Sequence, residues 1–217
     1  MSEQAADQFA TPHERFDARL QRRSATVLKA RIAQAERDSM LAAVEAVQSD
    51  SSIEHASALI VKARRRFILG SGKSRGYATL LAGDLDASLT HIALVGSSSS
   101  DALSLLSDVR ATDVLVVVSL SRFRRDTISI AQRFAEAGGV VVLITDSPNS
   151  PLAPFAEVQV VVATGSASYT NSPTALVLAL HLIASITAAS AKGAGRRLHE
   201  RDRLSTELEL YYDNSLD

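Results

Sequence analysis

The sequence predicts a three-layer α/β/α sandwich around a five-stranded parallel sheet, with helical arms at both ends. Five short apolar runs, at 67–69, 91–95, 114–118, 140–144 and 158–162, are mostly β-branched and read as strands. They are apolar along their length rather than alternating, as strands covered on both faces are. Helix-compatible stretches at 74–85, 101–107 and 126–137 intervene, and a helix opening at Ser172 and Pro173 follows the last strand; this is the order of a parallel sheet.

Ahead of the first strand, residues 16–47 carry Phe16, Leu20, Val27, Ile32, Leu41 and Val44 at helical spacing with no proline or glycine, which predicts one or two long helices. Between Arg15 and Arg37 lie seven basic and two acidic residues. The reading is a solvated face packed on a partner subunit, with a nucleic-acid arm as the alternative. After the sheet, residues 173–191 approach the length of a membrane span but include His181, Ser185 and Thr187, so a core or interface helix is expected. Residues 196–217 are highly charged, with Leu198, Leu204 and Leu208 spaced for a helix, and read as an exposed arm with a frayed tip.

Composition narrows the function. With 217 residues, 46% of them hydrophobic, the chain can bury one good core and still extend arms. A net charge of −1 makes no overall case for nucleic acid or an anionic membrane. The absence of cysteine excludes disulfides and thiolate metal sites, and no metal site is expected. The N-terminus, with Glu3 and Asp7, lacks the apolar core of a signal peptide, so a cytoplasmic protein is expected.

The loop after the first strand reads Gly70-Ser71-Gly72-Lys73-Ser74. A P-loop would need glycine where Phe67 stands, and a dinucleotide fingerprint would need it at Arg75, one residue before Gly76. No acidic residue follows the second strand to hold a ribose, so no nicotinamide or other cofactor is expected. What remains is a glycine turn between strand and helix, which offers backbone N–H groups to an anion beside two hydroxyls and an ammonium. A second donor-rich loop, Ser119 to Thr127, follows the third strand with Ser121, Arg122, Arg124 and Arg125. Of the three arginines, one is expected to touch ligand. Both loops leave the carboxyl edge of the sheet, where ligands bind in open parallel folds.

Gly70 to Ser74, the serine-rich loop after the third strand, and the segment 144–162 containing Asp-Ser-Pro-Asn-Ser-Pro-Leu-Ala from Asp146 to Ala153 closely resemble the sugar isomerase (SIS) domain. Within that superfamily the chain is most similar to the effector domain of MurR/RpiR bacterial transcriptional regulators. The resemblance implies a 53–192 SIS domain between a 1–52 helical arm and a 193–217 charged tail. It implies a sugar phosphate ligand and a homodimer or homotetramer. The ligand-binding set is Ser71, Gly72, Lys73, Ser74, Ser119, Ser121, Arg124 and Thr127. In the compact S-x-S-G-x-T loop of many SIS domains, Ser119 and Thr127 match the ends. The middle is longer here and lacks the glycine, so Ser121 and Arg124 both stand for the second serine's place.

Fewer than 55 residues precede the domain, and no helix-turn-helix is read in them. DNA binding is therefore only weakly supported: it is either lost or carried by a part not in this chain. Isomerisation needs a base near C1 and C2 of the sugar. Residues 164–173 offer no glutamate or histidine, His181 is expected to be a buried helix residue, His91 lies at the far end of its strand, and Asp84 and Asp86 close the first helix away from the loops. No catalytic residue is assigned, and binding is favoured over turnover. A sugar-phosphate isomerase and a non-catalytic oligomerisation or docking protein are the alternatives.

Overall fold

The computed structural model describes residues 11–20, 24–96 and 98–212. In chain order the elements are α1 (Pro12–Arg19), α2 (Ala25–Ser49), α3 (Ser52–Lys62), β1 (Arg65–Gly70), α4 (Ser74–Ser88), β2 (Ile92–Leu94), α5 (Ser99–Leu106), β3 (Asp113–Val118), α6 (Arg125–Glu136), β4 (Val140–Thr145), a 3-10 turn (Ala153–Phe155), β5 (Val158–Val161), α7 (Thr174–Ser190) and α8 (Ala194–Glu207). The strands form one parallel sheet in the order β2-β1-β3-β4-β5.

Every residue of β3 is buried, as a central strand covered on both faces requires. Its side chains alternate between two cores. Val114, Val116 and Val118 face α3, α4 and α7, whereas Leu115 and Val117 face α5 and α6 with Leu105 and Phe134. The chain moves outward from β1 to β2, then crosses back to β3 on the other side of β1. Connections therefore diverge above the carboxyl ends of β1 and β3, leaving a crevice between α4 and α6.

α7 is a core helix, as the sequence indicates, with Leu176, Leu180, Ile183 and Thr187 buried. Among the described residues no single helix is long and apolar enough to cross a membrane. It starts one residue later than expected, because Pro173 occupies the cap position and the Ser172 hydroxyl accepts the Thr174 N–H at 3.2 Å.

Two elements depart from the sequence reading. α3 has no counterpart among the expected elements, yet it places Ile53, Ala56 and Ile60 in the core. The C-terminal segment is not a free arm: α8 turns 104° from α7, and Arg201 bonds Asp86 of α4 at 3.2 Å while Arg197 Nε donates to the Asp86 carbonyl at 3.3 Å. The N-terminal residues read as lacking a signal peptide, and the frayed tip beyond residue 212, lie outside the described residues.

Candidate functional site

At the crevice the loop after β1 turns sharply into α4. Gly70 permits the turn because an added Cβ would lie 2.5 Å from the Ser74 carbonyl oxygen and 2.9 Å from Ala78 Cβ. Gly72 holds a left-handed φ of 60°, which glycine adopts without strain. Lys73 occupies the cap position of α4 and Arg124 that of α6, and neither makes a side-chain capping bond. Two helix N-termini, the positive ends of their dipoles, thus open onto one space.

That space is a cavity of about 480 Å³. All eight residues chosen from sequence line it: Ser71, Gly72, Lys73, Ser74, Ser119, Ser121, Arg124 and Thr127. Thr127 Oγ1 donates to Ser71 Oγ at 2.9 Å, joining the two loops. Ser74 and Ser119 are nearly buried, yet their hydroxyls make no hydrogen bond among the described residues. Arg124 forks onto Asp126, with its Nη2 at 2.8 Å, and holds that carboxyl below its ordinary range. Arg122, at a left-handed φ of 67°, also lines the cavity, so two of the three loop arginines border it.

Ser121 gives both its backbone N–H and its hydroxyl to Asp146 Oδ1, at 2.7 and 2.8 Å. The other carboxylate oxygen accepts from Thr164 Oγ1 at 2.9 Å and Asn171 Nδ2 at 3.3 Å. Asp146 thus ties the loops after β3, β4 and β5 together from behind the cavity. The sequence marks this aspartate as part of a motif but does not reveal that role.

The remaining wall comes from the segment after β5, weighed from sequence only for a base, and from α1, which the sequence does not connect with the site. Tyr169, Thr170 and Asn171 close one side, and Pro12 and Arg15 reach in from α1. Arg15 Nη1 donates to Asn171 Oδ1 at 2.6 Å, and Arg19 Nη1 donates to the carbonyls of Ser166 and Ser168 at 2.6 and 2.9 Å. Lys73 Nζ donates to the Asn171 carbonyl at 3.0 Å. Partial burial, then the nearby Arg15 guanidinium, push the Lys73 ammonium below the ordinary lysine value. None of the described lining residues is acidic.

The other residues weighed from sequence do not line this cavity. His181 is exposed on α7, where a buried position was expected. His91 is exposed at the amino end of β2, and Asp86 is engaged by α8. No group of three or more potential metal ligands occurs among the described residues.

Residues 59–186, more than half of the chain, match the SIS domain family. This chain belongs to the SIS domain family. Its SIS domain is similar to the crystal structure of the sugar isomerase domain of an RpiR transcription factor from Sphaerobacter thermophilus, at 26% identity, with 81% of this chain and 98% of that one covered and a TM-score of 0.75. The Vibrio vulnificus NanR protein complexed with ManNAc-6P shares the fold at 18% identity, covering 82% of this chain and 69% of that one, with a TM-score of 0.68. So does MJ1247 from Methanococcus jannaschii, for which a 3-hexulose-6-phosphate isomerase function has been inferred, at 16% identity, 76% and 94% coverage and a TM-score of 0.59. Among curated protein sequences, none matches this SIS domain.

Proposed function

We propose that the cavity binds a phosphorylated sugar and that the chain is the ligand-sensing part of an RpiR-type transcriptional regulator. The observation that carries this is the convergence of two donor-rich loops and two helix N-termini, whose cap residues Lys73 and Arg124 make no side-chain capping bond, on one cavity with no acidic residue in its described lining, in a SIS domain. In this reading Ser71, Gly72, Lys73, Ser74 and Thr127 hold the phosphate. Backbone N–H groups and hydroxyls donate to its oxygens while the helix dipoles and Lys73 balance its charge. Ser119, Ser121 and Arg124 face the sugar, whose hydroxyls both donate and accept.

The ligands of neighbouring folds support the same class: NanR is complexed with ManNAc-6P, and the protein c3406 of E. coli CFT073, with a TM-score of 0.58, with A5P. Residues 53–192 form the sensing unit, working in a bacterial cytoplasm as a homodimer or homotetramer. The sugar phosphate acts through its unequal affinity for two states of that assembly. Moving a proton between adjacent sugar carbons requires a base, and the described lining residues include no Asp, Glu or His. This favours sensing over isomerisation.

Ligand-observed NMR with a panel of sugar phosphates in deuterated water tests both parts. Selective broadening without deuterium entering at C1 or C2 is expected. Exchange at those carbons would replace the sensor with an isomerase, and no broadening with any sugar phosphate would remove the ligand class.

A further inference from the structure

A second cavity, of about 1010 Å³, lies at the opposite edge of the sheet between β1, the turn after α4, and α8. Its charged lining is Arg66, Lys192, Arg196, Arg197, Glu200 and Arg201. Asp86 is shared by Arg197 and Arg201, and Glu200 is also drawn to Arg203 at 2.6 Å. Five cations therefore face two carboxylates, one of them already committed elsewhere.

The arrangement runs against ordinary helix design in two respects. A helix folded back on its own domain normally turns an apolar stripe inward. α8 instead presents Arg196, Arg197, Glu200 and Arg201 to the cavity, with Arg197 and Arg201 anchored to Asp86 of α4 and Arg196 left facing the open space. The first turn of a helix favours acidic residues, because the dipole is positive there. α8 has none in its first turn, no side-chain cap, and Arg196 and Arg197 in that position. Lys192 and Arg196 form no hydrogen bond or ion pair among the described residues.

Across the cavity Arg66 is 6% exposed. Its guanidinium donates to the carbonyls of Ile60 at 2.6 Å and of Val61 and Thr90 at 3.0 Å, and to no carboxylate. It caps the carboxyl end of α3, so its bonds are met while its full charge stays at the cavity wall.

We propose that this cavity is a second anion site, separate from the phosphosugar cavity, for a small molecule carrying at least two phosphate groups. The cations stand on two sides of the cavity, Arg66 on the β1 side and Lys192 and Arg196 at the start of α8, so a ligand that engages both sides needs an anionic group for each. A polyphosphate satisfies Lys192, Arg196 and the α8 N-terminus at one end and the Arg66 side at the other.

Isothermal titration of the full chain at low salt with pyrophosphate, ATP and a short DNA duplex tests the site. Pyrophosphate or ATP should bind the native chain, and Lys192→Ala with Arg196→Ala should weaken binding about tenfold or more. Since neither side chain makes a hydrogen bond or ion pair among the described residues, the melting temperature of that variant should not fall. Ser119→Ala with Thr127→Ala, which damages only the phosphosugar cavity, should leave polyphosphate binding intact. The proposal is overturned if the second pair abolishes polyphosphate binding while the first does not, or if neither polyphosphate binds. Duplex binding that depends on Lys192 and Arg196, without pyrophosphate or ATP binding, would reassign the surface to nucleic acid.

Discussion

Thr127 Oγ1 donates to Ser71 Oγ at 2.9 Å, and this bond joins the first turn of α6 to the loop after β1 across a sequence separation of 56. Both hydroxyls border the cavity, and paired hydroxyls polarise each other. Ser119 stands beside them, nearly buried, with its hydroxyl making no hydrogen bond among the described residues. Alanine at Ser119 and Thr127 should therefore weaken sugar phosphate binding about tenfold or more at each position, as loss of a hydrogen bond to a charged group does. The fold should persist, with a stability loss of about 1 kcal/mol. Titration calorimetry beside a urea melt checks both, and unchanged affinity would place the ligand elsewhere.

Lys73 gives a pH signature with two opposite slopes. Burial and then Arg15 lower its pKa, so between the folded and unfolded values the unfolded chain holds the extra proton. Stability therefore rises with pH across that window. Phosphate affinity runs the other way, because the anion favours the charged ammonium and loses it as pH rises through the folded value. The decline should begin below the ordinary lysine pKa of about 10.4. Lys73→Met should flatten both slopes, while Lys73→Arg should keep affinity at high pH. Melts and titrations over neutral to alkaline pH measure them, and parallel slopes would contradict the assignment.

The strands were legible because a parallel sheet buried on both faces demands continuous apolar runs, and β3 is buried at every residue with an unbroken apolar run from Val114 to Val118. The two loops were legible because glycines, hydroxyls and cations cluster locally where strand meets helix. The rest of the wall depends on contacts with no local signal. Ser121 and Asp146 are 25 residues apart, Lys73 and Asn171 are 98, and Arg15 and Asn171 are 156. α3 is hard to read from sequence because its apolar pattern at Ile53, Ala56 and Ile60 occupies only an 11-residue helix lying directly between α2 and β1. The fold of α8 onto α4 rests on Arg197 and Arg201 meeting Asp86, and charged residues alone signal only a solvated helix.

Gly70 and Gly72 should respond to alanine differently despite lying two residues apart. At Gly70 the methyl group meets the Ser74 backbone at 2.5 Å, so α4 must shift. Overpacking of this kind costs about 1–3 kcal/mol, and moving Ser74 also weakens ligand binding. At Gly72 the nearest atom to an added Cβ is Arg124 Cδ at 3.9 Å, leaving only the strain of a left-handed backbone, about 1 kcal/mol. For a chain of this size each kcal/mol lowers the melting temperature by about 2–4 °C. Thermal melts should rank Gly70→Ala below Gly72→Ala, and the reverse order would show that α4 yields more easily than the turn.

Asp146 should matter to a cavity it does not line. Its carboxylate accepts from Ser121 twice, from Thr164 and from Asn171, and Asn171 in turn receives Arg15 and Lys73. Asp146→Ala leaves those donors without their charged acceptor and should cost about 1.5–3 kcal/mol in a urea melt. Ser121→Ala removes one of the bonds but keeps the backbone N–H to Asp146, so it should cost less. Asp146→Asn keeps one good acceptor oxygen but turns an NH2 group toward donors, and should fall between the two. Ligand affinity should follow the same order, because Ser121 and Asn171 lose their positions together. Limited proteolysis adds a readout specific to the network: loosening Asn171 weakens the hold on Arg15, so cleavage within α1 should accelerate in Asp146→Ala. If affinity is retained while stability falls, Asp146 supports the fold and does not position the site.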